Sequence, residues 1–259
     1  MKKIATLATY APRFGKIVIE AVRSLCNQTD ALDQIHVCAN PCDDPDLKWK
    51  LEYHLNQLDK MRKPDIILHW MDSDLGDLAK FYPLAKGWAM PGDFVAICDD
   101  DLLYPPTYIN DCGEMLLWMV PEWNSRVLTW GGKLLNEPPY TNWRSAWANR
   151  IGIWQGSPRY AKVHTPLTCV TSLYWPKDSD FEIDERFRNN GDLLFGKWAA
   201  ANGHRILCPP FDEDYFTYNP AMPGKETIWD TLQRSPEIDR LTCDLAAEIF
   251  DHARAGDPT

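Results

Sequence analysis

Four short apolar, β-rich runs alternate with segments of helical period over the first hundred residues, and that order leaves few architectures open. The runs are KKIATLATY (2–10), IHVCAN (35–40), IILHW (66–70) and DFVAIC (93–98). Between them lie IVIEAVRSLCNQ, where Ile17, Ala21, Val22 and Leu25 recur at helical spacing, then DLKWKLEYHLNQLDKM, and then LAKFYPLAKGW. Such alternation predicts an α/β fold with a mostly parallel central sheet, helices on both faces and right-handed crossovers. Ligands of these sheets bind beyond the carboxyl ends of the strands. Thr9-Tyr10, Asn40, the 72–77 loop and Asp99–Asp101 are therefore expected to converge on one rim.

The later chain continues with a helix in TYINDCGEMLLWM and a strand in VLTW. A loop-rich segment follows over 131–160, carrying Trp143, Trp147, Trp154, Arg144 and Arg150. VHTPLTCVTSLYW reads as β, GDLLFGKWAAANG as a helix and HRILCPP as a strand. The tail from Glu226 reads as helical, with Ser235-Pro236 as cap and first position of the last helix. With no repeat and no linker, 1–259 is expected to be a single domain. No run approaches the roughly 20 apolar residues that span a bilayer, and the opening MKKIATLATYAPRF reads as a strand, not a signal peptide. Scattered cysteines, several in apolar runs (Cys98, Cys169, Cys208), predict reduced thiols and a cytoplasmic, disulfide-free chain. Cys38 and Cys42 have no second pair to complete a zinc site. A formal charge of −10 argues against broad binding to a nucleic-acid backbone.

The fourth apolar run ends in three carboxylates, Asp99, Asp100 and Asp101. Their mutual repulsion needs a positive partner or free access of water. On an extended strand Asp99 and Asp101 would share one face, with Asp100 on the other. Two carboxylates on a rigid edge suit a hard divalent cation, Mn²⁺ or Mg²⁺, which can neutralise a diphosphate leaving group. The plainer alternative is that they cap the helix beginning after Pro105.

These motifs, in their order, resemble GT-A glycosyltransferases of the family 2 type found in bacteria and phages. The likeness rests on four stretches: DDDLLYPPTYI, a D-x-D-like motif; ATLATYAPRF followed by EAVRSLCNQ; DLGDLAKFYPL; and FRNNGDLLFGKWAAANGHRILCPP. Together they span roughly residues 3 to 210. The resemblance implies a Rossmann-like nucleotide-diphospho-sugar transferase fold. Residues 1 to about 110 would form the half that binds a nucleotide-sugar donor, a uridine sugar by implication. Residues 111 to about 225 would form the acceptor and catalytic half, ahead of a helical tail. It places Thr9, Tyr10, Arg13 and Asn40 near the nucleoside, although many relatives have aspartate at the position of Asn40. Asp74, Gly76 and Lys80 would lie beside the nucleotide, Lys80 offering a cation; by itself Lys80 reads as a solvated helix lysine. Asp101 is implied as the direct metal ligand, with Asp99 second and Asp100 able to exchange roles.

Asp192, opening a helix, is implied as the general base that deprotonates an acceptor hydroxyl, which predicts inversion at the anomeric carbon. A carboxylate there is also favoured by the helix dipole alone. The tryptophan-rich segment is a candidate acceptor lid, and its arginines could clamp an anionic acceptor. His164 and His204 read as ordinary residues, and Asp212, Glu213 and Asp214 as a solvated loop. The expected activity is metal-dependent transfer of a sugar to a saccharide or other hydroxyl acceptor. A sugar nucleotidyltransferase, a non-catalytic binding module and transfer to a modified nucleic-acid base remain alternatives.

Overall fold

The computed structural model describes residues 1–61, 64–123, 125–152, 155–166, 171–177, 180–220 and 236–255. Trp154, Cys169 and the 226–235 part of the tail, Ser235 included, lie outside the described residues. The four N-terminal runs form strands β1 (Lys3–Thr9), β2 (Gln34–Ala39), β3 (Asp65–Trp70) and β4 (Phe94–Cys98). They pair parallel in the order β3-β2-β1-β4. Every residue of β4 is buried, because both faces of the sheet are covered. Phe94, Ala96 and Cys98 enter one hydrophobic cluster, and Val95 and Ile97 the other.

The first of those clusters takes in the inward stripes of helices α1 (Lys16–Cys26), α2 (Pro45–Met61) and α4 (Tyr108–Trp123), through Val18, Val22, Leu51 and Cys112. The second lies under α5 (Gly191–Ala201) and the last helix, Pro236–Ala255, through Phe195, Leu245 and Ile249. Between α2 and α4 the short α3 spans Tyr82–Ala85. The chain thus has the expected α/β class, with helices flanking a central, mostly parallel sheet of eight described strands.

Beyond β4 the order is β11 (Thr171–Tyr174), β6 (Ser125–Thr129), β12 (Arg205–Cys208) and β9 (Ala161–Val163). Here the otherwise parallel sheet takes in two antiparallel strands, within the mostly parallel expectation. β11 runs antiparallel between β4 and β6, and β9 is an antiparallel edge. The cause is the route of the chain. Leaving β6 at the carboxyl rim, it builds a second sheet there, so it must re-enter the main sheet in the opposite direction. That second sheet, β10-β7-β8, joins Thr165–Pro166, Gly132–Leu135 and Trp147–Ile151, all antiparallel. The segment expected to be loop-rich therefore contains a hairpin. A third pairing sets β13 (Thr217–Tyr218) against β5 (Leu102–Leu103).

A second correction concerns LAKFYPLAKGW. It forms a 3-10 turn, Gly76–Phe81, followed by the single α-turn of α3, with Pro83 at its start and Gly87 at φ +67° beyond its end. The 3-10 turn is wedged under β1, where the Thr6 hydroxyl donates to the Lys80 carbonyl at 2.7 Å.

Candidate active site

Because β1, β2 and β4 run parallel, their carboxyl ends deliver Thr9, Asn40 and Asp99 to one rim, as expected. Asn40 braces it. Its amide donates to the carbonyls of Thr9 and Gly76 at 3.3 and 3.0 Å and accepts from the Leu75 N–H at 2.9 Å. Both halves of that buried side chain are thus engaged with backbone.

The alternation expected for the three aspartates does not occur, because the strand stops at Cys98 and residues 99–101 turn. The turn is pinned by Tyr104, whose hydroxyl accepts from the Asp99 N–H at 2.7 Å and donates to the Asp99 carbonyl at 3.0 Å. The Asp101 carbonyl accepts from the Asn219 N–H at 2.9 Å. Asp100 and Asp101 consequently share one cation. The Arg13 guanidinium pairs with Asp100 and lies 3.3 Å from Asp101, with its other face over the Tyr10 ring at 5.0 Å. Burial works against the charge on Arg13, but the two carboxylates outweigh it and hold the guanidinium protonated. Burial raises the Asp100 carboxyl above its ordinary value, against the pull first of Arg13 and then of the buried Thr9 hydroxyl.

Lys80 is 4% exposed, which removes the solvated-lysine reading. Its ammonium donates to Asp99 at 2.6 Å. Burial nevertheless pushes the Asp99 carboxyl up to about 6, against the pull of Lys80 and with the charges of Asp101 and Asp192 adding to the rise. Asp101 is also raised, by burial and then by Asp100.

Asp192 sits in the first turn of α5, and Lys133 on β7 reaches its carboxylate at 3.4 Å. Thr165 on β10 donates to its backbone carbonyl at 3.2 Å. Asp77 lies beneath the same helix start and accepts from the Gly191 N–H at 3.0 Å. Burial lifts Asp77 to about 7, with Lys80 opposing and Asp192 adding. Asp77 and Lys133 were not anticipated. An acid in a run of acids and a lysine in an apparent loop carry no spacing signal; only tertiary contact shows them beside Asp192.

Asp74 and Gly76 do not extend the acidic turn. They clasp the loop that leads into α5. Asp74 pairs with Arg188, Ser73 lies 3.3 Å from Glu185, and the Asp77 N–H donates to Asn189 at 3.3 Å. Gly76 has φ +58°, and a Cβ there would fall 2.1 Å from the Asn189 side-chain oxygen. His164 accepts from the Leu135 N–H at 2.9 Å, His204 packs on Trp198, and Asp212–Asp214 are exposed. The seven described cysteines are free.

Five described carboxylates (Asp77, Asp99, Asp100, Asp101 and Asp192) therefore meet three buried cations, Arg13, Lys80 and Lys133. Fully ionised, the cluster holds two negative charges in excess. Asp99 and Asp101 retain 20% and 22% side-chain exposure, whereas Asp100 has 4%. Among the described residues no group of three or more His, Cys, Asp or Glu side chains forms a cage for a metal ion.

The fold and the rim define an α/β chain with a partly compensated acidic site at the carboxyl end of its parallel strands. Structures of S. aureus TarS are among those it resembles. TarS 1–349 in complex with UDP is 18% identical with a TM-score of 0.49, over 81% of this chain and 58% of that one. TarS 1–349 and TarS follow at 18% identity each, with TM-scores of 0.39 and 0.38. Each of these matches covers 75% of this chain, and they cover 56% and 34% of those chains. The chain spans less than two thirds of each. No family model and no curated protein sequence matches it.

Proposed function

We propose that the chain is a glycosyltransferase that moves a sugar from a nucleoside-diphosphate donor, a uridine sugar by the sequence resemblance, to a hydroxyl acceptor. One observation carries this reading: a partly exposed acidic turn and a carboxylate at a helix start meet at one rim, where acids outnumber cations. Asp192 is the general base in this reading. Lys133 holds its carboxylate in place, and Thr165 and the Gly191–Asp77 bond fix the backbone around it. A single displacement with inversion follows. Thr9, Tyr10 and Arg13 border the place of the nucleoside, and Arg13 and Lys80 preset the acidic turn.

Mn²⁺ or Mg²⁺ fits this donor set. The acids outnumber the cations around them, and ions that serve diphosphates take one or two carboxylates, with the rest of their ligands from phosphate and water. Asp101 and Asp99 are the accessible carboxylates and would hold it. When bound, the ion would stabilise the charge developing on the departing diphosphate. Asp100, locked to Arg13, orients the turn.

The test combines Mn²⁺, a panel of UDP-sugars and the Asp192→Asn variant. Calorimetry should show UDP binding retained in the variant, while release of UDP from the sugar nucleotide falls at least about a hundredfold, the scale of general-base catalysis. Wild-type release by Asp192→Asn would remove the base assignment. A wild-type chain that releases UDP from no sugar nucleotide would remove the transferase reading.

A further inference from the structure

Charge is unevenly distributed along this acidic chain. Residues 125–166 carry six Lys and Arg against one acid, Glu137, a net +5 that leaves −15 for the rest of the chain. Glu137 itself pairs with Arg254, at 3.0 Å. This basic stretch includes β7, β8 and β10, the sheet that stands over Asp192.

Register places the charges. Residues directly opposed on antiparallel strands project from the same face of the sheet. Thr165 opposes Lys133 across β10 and β7, and Lys133 opposes Arg150 across β7 and β8. Thr165 and Lys133 both bond to Asp192, so the face carrying this row is the face that meets the base. Along the row the residues pass from fully buried Thr165, through Lys133 at 7% exposure, to exposed Arg150. No described residue pairs with the Arg150 guanidinium. Trp147, on the same strand as Arg150, puts its ring 4.5 Å from the Lys133 ammonium.

We propose that Arg150 and Lys133 form an oxyanion subsite that receives a phosphate or carboxylate carried by the acceptor, next to the hydroxyl that Asp192 deprotonates. The proposal rests on the glycosyltransferase reading for the word acceptor, but the affinity for an oxyanion does not. Arg150 supplies a planar fork that can grip two oxygens, and Lys133 supplies a point charge from below. Lys133 also offsets the repulsion between Asp192 and the incoming anion, which would otherwise keep a charged acceptor away. The Trp147 ring beside Lys133 offers an apolar wall to the acceptor's carbon frame.

Saturation-transfer NMR on the full chain tests this with matched probes: glycerol 1-phosphate against glycerol, and glucuronate against glucose. The anionic member of at least one pair should bind about tenfold more tightly than its neutral partner, or about 1.4 kcal/mol. The pair that responds identifies the oxyanion. Arg150→Ala should abolish the preference and Arg150→Lys should keep part of it, with melting curves confirming that both are folded. Equal binding of charged and neutral probes, or an unchanged preference in Arg150→Ala, overturns the subsite. Release of UDP from UDP-sugars is measured separately. Release without charge preference overturns the subsite alone, whereas charge preference without release supports the subsite and overturns the transferase reading.

Discussion

Replacing Asp77 with asparagine should stabilise the protein at pH 8, although it alters a side chain bonded inside the structure. The folded chain holds this carboxyl at about 7, against an ordinary 3.8, because burial and Asp192 disfavour its charge. A carboxyl raised in this way binds its proton more tightly folded than unfolded. Stability therefore declines as pH rises from about 4 to about 7, and the loss is complete above that. The shift corresponds to roughly 4 kcal/mol at about 1.4 kcal/mol per unit. Asparagine returns some of this, because its amide can accept from Gly191 with its oxygen while its NH₂ lacks a partner, at about 1–2 kcal/mol. A net gain of roughly 2–3 kcal/mol at pH 8 follows from those two figures. At pH 4 the order should reverse, since the native carboxyl is then neutral. Urea unfolding of both proteins at pH 4, 6 and 8 measures the difference, which also removes the similar contribution of Asp99. Equal destabilisation of Asp77→Asn at pH 4 and pH 8 would refute the reasoning.

Two further substitutions probe the scaffold of the site. Arg13→Met leaves Asp100 buried without its cation and should cost about 3–5 kcal/mol at pH 7. That cost should shrink in urea melts at lower pH, as Asp100 and Asp101 take up protons; a constant cost would contradict the shared-cation geometry. Gly76→Ala forces a left-handed residue against Asn189, at about 1–2 kcal/mol for the backbone. By displacing the loop that precedes Asp192, it should also lower kcat/KM by up to about a hundredfold. Activity that fell only in step with stability would deny the clasp a role in positioning.

Local chemistry made much of this legible. The edge strand β3 is only half-buried, and IILHW showed it by its apolar, β-rich residues. The other three of the four N-terminal strands announced themselves because burial on both faces demands continuous apolar runs, and DFVAIC is such a run. The helix start at Asp192 was visible for the same reason, since α5 is buried almost throughout its length. The 3-10 turn was missed because Leu78, Ala79 and Phe81 are as apolar as a helix requires, and only the wedge beneath β1 selects the tighter winding. The hairpin of β7 and β8 was missed because β8 presents Ala148, Asn149 and Arg150 to solvent, which reads as a loop.

By itself, the sequence determined the parallel half of the sheet, the rim on which its strands end, and the concentration of acid there. It does so because apolar periodicity and strand order are local properties. Tertiary structure decided how that acid is tolerated. Arg13 meets Asp100 across 87 positions, Lys80 meets Asp99 from a turn wound against β1, and Lys133 meets Asp192 from another sheet. Coulomb energy depends on distance in space and on burial, and neither is written in the spacing of residues along the chain.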